Sequence, residues 1–177
     1  MLPAIPSRVR NPVMRTGLFA LAAVLFALFG AATKAQDEDK KVPPRYGFAY
    51  NAELYPQKKP QDALKSVIRA IDGKRVDYLL AQLADPKFVD AQVANYQASI
   101  GKADPEVRTL AAFGRFVEDT IGYFQSDPVV VKELRLFARD GQWEVDDMLA
   151  TATLKGSPRK VFFKQIGDRW YLENRQQ

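Results

Sequence analysis

The stretch DPVVVKELRLFARDGQWEVDDMLATATL, residues 127–154, decides the fold class, because here the hydrophobic period changes. From Asp127-Pro128 onward, Leu134, Leu136 and Ala138 take one parity while Glu133, Arg135 and Arg139 take the other, with Phe137 as the one misfit. That alternation predicts a strand over Val129–Arg139, and Asp140-Gly141 is a hairpin signal. The returning strand carries Trp143 and Val145 on one parity, then Met148, Ala150, Ala152 and Leu154 on the other. An extra residue at Asp146-Asp147, a β-bulge, would keep both groups on one face. Gly156-Ser157-Pro158 turns the chain, Lys160–Ile166 runs out, Gly167-Asp168 turns it again and Arg169–Arg175 returns. The expectation is a four-stranded antiparallel meander from Val129 to Arg175.

Upstream the period is helical. Leu64, Val67, Ile68 and Ile71 recur at i, i+3, i+4 and i+7, with Pro60 in the first turn and Gly73 at the stop. Val76, Leu79, Leu80 and Leu83 outline a second short helix. Asp85-Pro86 and Asp104-Pro105 each open another, since the aspartate accepts from free backbone N–H groups and the proline fills a position that needs none. The first carries Val89, Val93, Tyr96 and Ile100. The second carries Leu110, Phe113, Val117, Ile121 and Phe124, and its breadth marks it as the central helix. Helices first and a hairpin-linked sheet afterwards describe an α+β domain with its helices on one face of a curved sheet. Leu64, Ile68, Leu80, Leu110, Phe113, Val117, Leu136, Met148 and Trp170 are the expected core.

Gly17–Ala32 has no charged side chain and follows a segment whose only charges are Arg8, Arg10 and Arg15. Thr33-Lys34-Ala35 then supplies small residues for cleavage between Ala35 and Gln36. This order predicts a signal peptide over 1–35 and an extracytoplasmic (periplasmic or secreted) product, with Met14 as an alternative start. The competing reading retains the segment as a membrane anchor, but a span needs about 20 apolar residues. Residues 36–60 combine the run Asp37-Glu38-Asp39-Lys40-Lys41 with four prolines and read as a tether. Tyr46, Phe48, Tyr50 and Tyr55 make part of it lie against the domain, which occupies 61–177.

Composition excludes several functions. Four of the 26 basic residues lie in the leader, leaving 22 against 21 acidic, which argues against nucleic acid as a partner. Without cysteine there is no disulfide or thiolate metal site; without histidine, no imidazole ligand or base. No cofactor or metal is expected, and no catalytic residue can be assigned.

The helix pair around Asp62-Ala63-Leu64-Lys65-Ser66-Val67 and Asp77-Tyr78-Leu79-Leu80 carries a family resemblance. So do Phe137-Ala138-Arg139-Asp140-Gly141-Gln142-Trp143 and Lys164-Gln165-Ile166-Gly167-Asp168-Arg169-Trp170-Tyr171-Leu172. Together these segments make the chain resemble the nuclear transport factor 2-like superfamily, cystatin-like α+β cones. The resemblance spans roughly 61–174 and implies a pocket between helices and a concave sheet, without fixing its use.

Four residues are candidates for such a pocket. Asp146 or Asp147, turned inward by a bulge, could serve as a general base; Trp143 and Trp170 could line apolar walls or simply fill the core. Phe162 and Phe163 fall on opposite faces, so one needs a cover, and a homodimer through the outer sheet face would supply it. The leading functional expectation is a non-catalytic module binding a small apolar ligand or a protein partner. The alternatives are a carboxylate-based isomerase or hydratase acting on a small apolar substrate, and a membrane-anchored structural component.

Overall fold

A computed structural model describes residues 43–175. The Gly17–Ala32 segment, the Ala35–Gln36 cleavage point and the start of the tether lie outside the described residues. Among the described residues no helix is long and apolar enough to cross a membrane.

The helical half begins with α1, Pro60–Asp72, which buries Ala63, Leu64, Val67 and Ala70 along one stripe. Gly73 ends it by donating its N–H to the Arg69 carbonyl. The next element, α2 (Val76–Tyr78), runs directly into a π-helical stretch, Leu79–Leu83, where the Ala84 N–H reaches back five residues to the Leu79 carbonyl. All five residues of that stretch are buried. Two longer helices follow, α3 (Pro86–Gln97) and α4 (Pro105–Ser126). Asp85 accepts from Lys87 N at 3.0 Å and Asp104 from Glu106 N at 2.9 Å, so both Asp-Pro pairs cap as the sequence predicts.

Residues 128–140 overturn the first-strand expectation: Pro128–Asp140 is a helix, α5. Asp127 accepts from Val129 N at 3.2 Å, which makes Asp127-Pro128 a third copy of the same capping device. Val130, Leu134, Phe137 and Ala138 also share one helical face, and Phe137, the misfit of the alternating reading, is the residue that α5 buries completely. Leu136, expected in the core, points outward at 36% exposure.

Four strands nonetheless form, in the order β1-β2-β3-β4 and antiparallel throughout: β1 Gln142–Asp146, β2 Leu149–Thr153, β3 Lys160–Ile166 and β4 Arg169–Glu173. The expected bulge is instead a hairpin. Asp146 pairs with Leu149, and Asp147-Met148 forms a two-residue turn with Asp147 at φ +41°, the left-handed conformation such turns demand. Met148 therefore sits exposed at the turn. Trp143, Ala150, Ala152, Val161 and Phe163 share the sheet's inner face, which α1 and α5 cover through Leu64 and Phe137. This is an α+β fold with an open sheet.

A second core surrounds the buried Leu79–Leu83 stretch, drawing on Val67, Val89, Val93 and Phe113. That placement corrects the assignment of α4 as the central helix, since α4 buries only Ala112 and Phe113 and leaves Leu110 46% exposed. Leu64, Leu80, Phe113 and Trp170 are buried as expected, and Ile68 and Val117 are partly so.

The segment preceding α1 forms an arm against this core. Arg45 and Phe48 exchange two backbone hydrogen bonds around a turn whose central residues, Tyr46 (φ +51°) and Gly47 (φ +86°), are both left-handed. For a tyrosine that conformation costs about 1–2 kcal/mol. Stacking offsets it, with the Tyr46 ring parallel to Phe113 at 4.3 Å and its hydroxyl donating to Asp90 at 2.6 Å. Arg45 donates to the same carboxylate. Tyr55 stacks on Tyr78 at 4.2 Å. Gln57, fully buried, closes the free edge of β4. Its carbonyl accepts the Trp170 N–H, and its amide donates to Trp170 O at 2.8 Å and to Gln82 O at 3.1 Å. Asp85 N completes the closure by donating to Leu172 O.

Candidate functional site

An apolar cleft of about 510 Å³ opens where α3, α4, α5 and the β3–β4 pair converge. Its volume falls in the range of about 300–1,000 Å³ usual for small-molecule sites. The deepest lining comes from Val67, Leu79, Leu80 and Ala84, already fixed by the helical core. Phe88 from α3 and Phe116 and Phe124 from α4 form an aromatic wall, with the Phe88 and Phe116 rings edge-to-face at 6.0 Å. Val130 and Leu134 of α5 face them, and Val161, Phe162 and Leu172 supply the sheet side. It is thus the helical form of residues 128–140, where a strand was expected, that puts the third wall in place.

Polar groups gather at the rim. Asp119 accepts the Tyr96 hydroxyl at 2.5 Å, and this bond raises the Tyr96 pKa above the ordinary phenol value. Thr120 returns its hydroxyl to the Phe116 carbonyl at 2.8 Å, leaving its methyl to the cleft. Glu173 Oε2 is buried and lies 2.9 Å from Arg175 Nε, but out of line with its N–H, so the two form an ion pair without an aligned hydrogen bond. The Arg175 guanidinium in turn lies over the Phe162 ring at 4.9 Å. Phe163 is fully buried on the inner face, and Phe162 is partly covered by a cation from its own chain.

None of the four sequence candidates lines the cleft. Asp146 ends β1 and Asp147 occupies the hairpin turn, both exposed. Trp143 is half-buried against Phe163 at 5.8 Å, and Trp170 is buried in the sheet-side core beneath Gln57. The tryptophans therefore act in packing, and the aspartates are solvated. Sequence reading missed Phe88, Phe116, Phe124 and Phe162 as a set. Phe116 and Phe124 both lie on α4, and only the tertiary fold brings Phe88 and Phe162 to them.

The carboxylates in the cleft lining are Asp119 and Glu173; the first is engaged by a phenol and the second by a guanidinium. A proton-transfer pair facing apolar space is not assembled from these described residues. The arrangement instead offers shape and apolar area. No family model matches the sequence, and neither a curated protein nor a solved structure matches it.

Proposed function

We propose that this chain is an extracytoplasmic, non-catalytic binding domain that takes a small, largely apolar ligand in the cleft between α3, α4, α5 and the β3–β4 pair. The observation that carries the reading is the cleft itself, in which aromatic and aliphatic side chains from the helices and the β3–β4 pair converge with rim charges already engaged. Such a site gains affinity by burying ligand surface, at about 25 cal/mol per Å², and asks for no charged head group. The basic-then-apolar leader supports the extracytoplasmic address. In the nuclear transport factor 2-like family that the sequence resembles, a pocket between helices and sheet would lie in a comparable place.

Binding of anilinonaphthalene sulfonate, followed by its fluorescence, tests this directly. Val130→Trp fills the cleft mouth from α5, whereas Val107→Trp adds the same ring at an exposed α4 position outside the lining. The expected result is about a tenfold loss of affinity in the first variant and none in the second. Equal binding by both variants would overturn the assignment.

A further inference from the structure

We propose that the free edge of β1 is a strand-addition site for an extended basic segment of a partner protein. The sheet has two edges, and the fold treats them differently. At β4, the Gln57 carbonyl and amide and the Asp85 N–H occupy the outward-facing groups of Trp170 and Leu172. At β1, nothing among the described residues does.

Register identifies which groups are open. Asp146 and Leu149 flank a two-residue turn and so form a bonded pair. Alternation along an antiparallel ladder then directs Glu144 and Gln142 toward β2 and turns the N–H and C=O of Trp143 and Val145 outward. No backbone hydrogen bond from outside the sheet reaches either residue among the described residues. Four unpaired backbone groups in a row are a template for another strand.

The side chains define the partner. Trp143 and Val145 lie on the inner face, the first half-buried and the second 51% exposed, so an apolar strip continues past the edge. On the outer face Glu144 and Asp146, with Asp147 at the turn, have no ion pair or hydrogen bond to a basic side chain among the described residues. Two copies of β1 paired about a two-fold axis would set these carboxylates against one another, which is unfavourable between directly opposed residues. A strand alternating apolar with Lys or Arg places its cations opposite Glu144 and Asp146 and its apolar residues beside Val145. The edge repels its own kind and complements the opposite one.

The test uses the full chain and an acetylated, amidated peptide of alternating valine and lysine, about eight residues long to match a short strand. Hydrogen exchange should show the Trp143 and Val145 amides, open in the free protein, slowed about tenfold by the peptide. Val145→Pro removes an outward donor that an edge strand can spare, and it should abolish binding while the melting temperature holds. Should that variant fail to fold, Glu144→Lys serves instead, with affinity expected to fall about tenfold and the salt dependence to weaken. The valine–glutamate counterpart should not bind. Protection confined to other residues, equal binding of the acidic peptide, wild-type affinity in Glu144→Lys, no binding of the valine–lysine peptide, or self-association through β1 in sedimentation would each overturn the proposal.

Discussion

Replacing Asp85 perturbs two of the three contacts that meet at its side chain and its backbone. Its Oδ1 caps α3 through Lys87 N at 3.0 Å, its Oδ2 pairs with Lys164 Nζ of β3 at 2.7 Å, and its own N–H closes the β4 edge on Leu172. Only the first two depend on the side chain. Loss of an N-cap aspartate costs about 1 kcal/mol. The ion pair is largely buried, at 10% and 21% side-chain exposure, between the exposed-pair value of about 0.2–1 kcal/mol and the 3–5 kcal/mol typical of breaking a fully buried one. About 1–2 kcal/mol is the corresponding expectation. Asp85→Ala should therefore lower unfolding stability by about 2–3 kcal/mol, and Asp85→Asn, which keeps an acceptor for Lys87 N, by about 1–2 kcal/mol. Urea denaturation of both, with Lys164→Met and the double variants, isolates the pair by its coupling energy. A cost under about 0.5 kcal/mol for Asp85→Ala, the range of an ordinary surface site, would refute the reasoning.

Three further outcomes follow from particular contacts. Burial first, then the hydrogen bond to Asp90, pushes the Tyr46 pKa up to about 12. The folded value exceeds the ordinary value of about 10, so this contribution is fully present below pH 10 and is lost as pH rises toward 12; Tyr46→Phe should flatten the fall in stability over that window, measured by denaturation at stepped pH. At Gly141 an added Cβ would stand 2.3 Å from the Phe137 carbonyl oxygen, so Gly141→Ala should cost about 1–3 kcal/mol by thermal melting despite an ordinary φ of −64°. Asp127→Ala should cost about 1 kcal/mol and reduce helical circular dichroism, whereas no change in either would argue that residues 128–140 do not depend on a cap.

Much of this architecture is legible in the chain. The Asp-Pro pairs, the 3.6-residue stripes and the Gly167-Asp168 hairpin specify α1, α3, α4, β3 and β4 because each is decided by neighbours in sequence. Residues 128–140 mislead because leucines and arginines alternate there by coincidence of a helix that exposes Leu136 and buries Phe137. The signals against the strand were local: a third Asp-Pro cap and a misfit aromatic. Asp146-Asp147 misleads differently. A parity switch is produced equally by a bulge within one strand and by a two-residue turn between two, and only pairing partners distinguish them. A pocket between helices and sheet was implied by the resemblance, but its lining residues were not legible, because its walls come from separate helices and strands and depend on α5 being a helix.

The bonds between Gln57 and Trp170 join positions 113 residues apart, and they impose an order on folding. The arm's aromatic anchors, Tyr46 on Phe113 and Tyr55 on Tyr78, dock on the helical half, but the Gln57 bonds wait for β4, the last of the described strands. Contacts of such long sequence separation carry their loop-closure entropy in full before any gain is realised. The helical half and the sheet can form first, with the β4 edge open meanwhile, and Gln57 seals it as the closing step. A ribosome-bound chain halted before Trp170 would hold helices and a partial sheet, with Tyr46 and Tyr55 able to stack, but leave Gln57 without the strand that completes its hydrogen bonds.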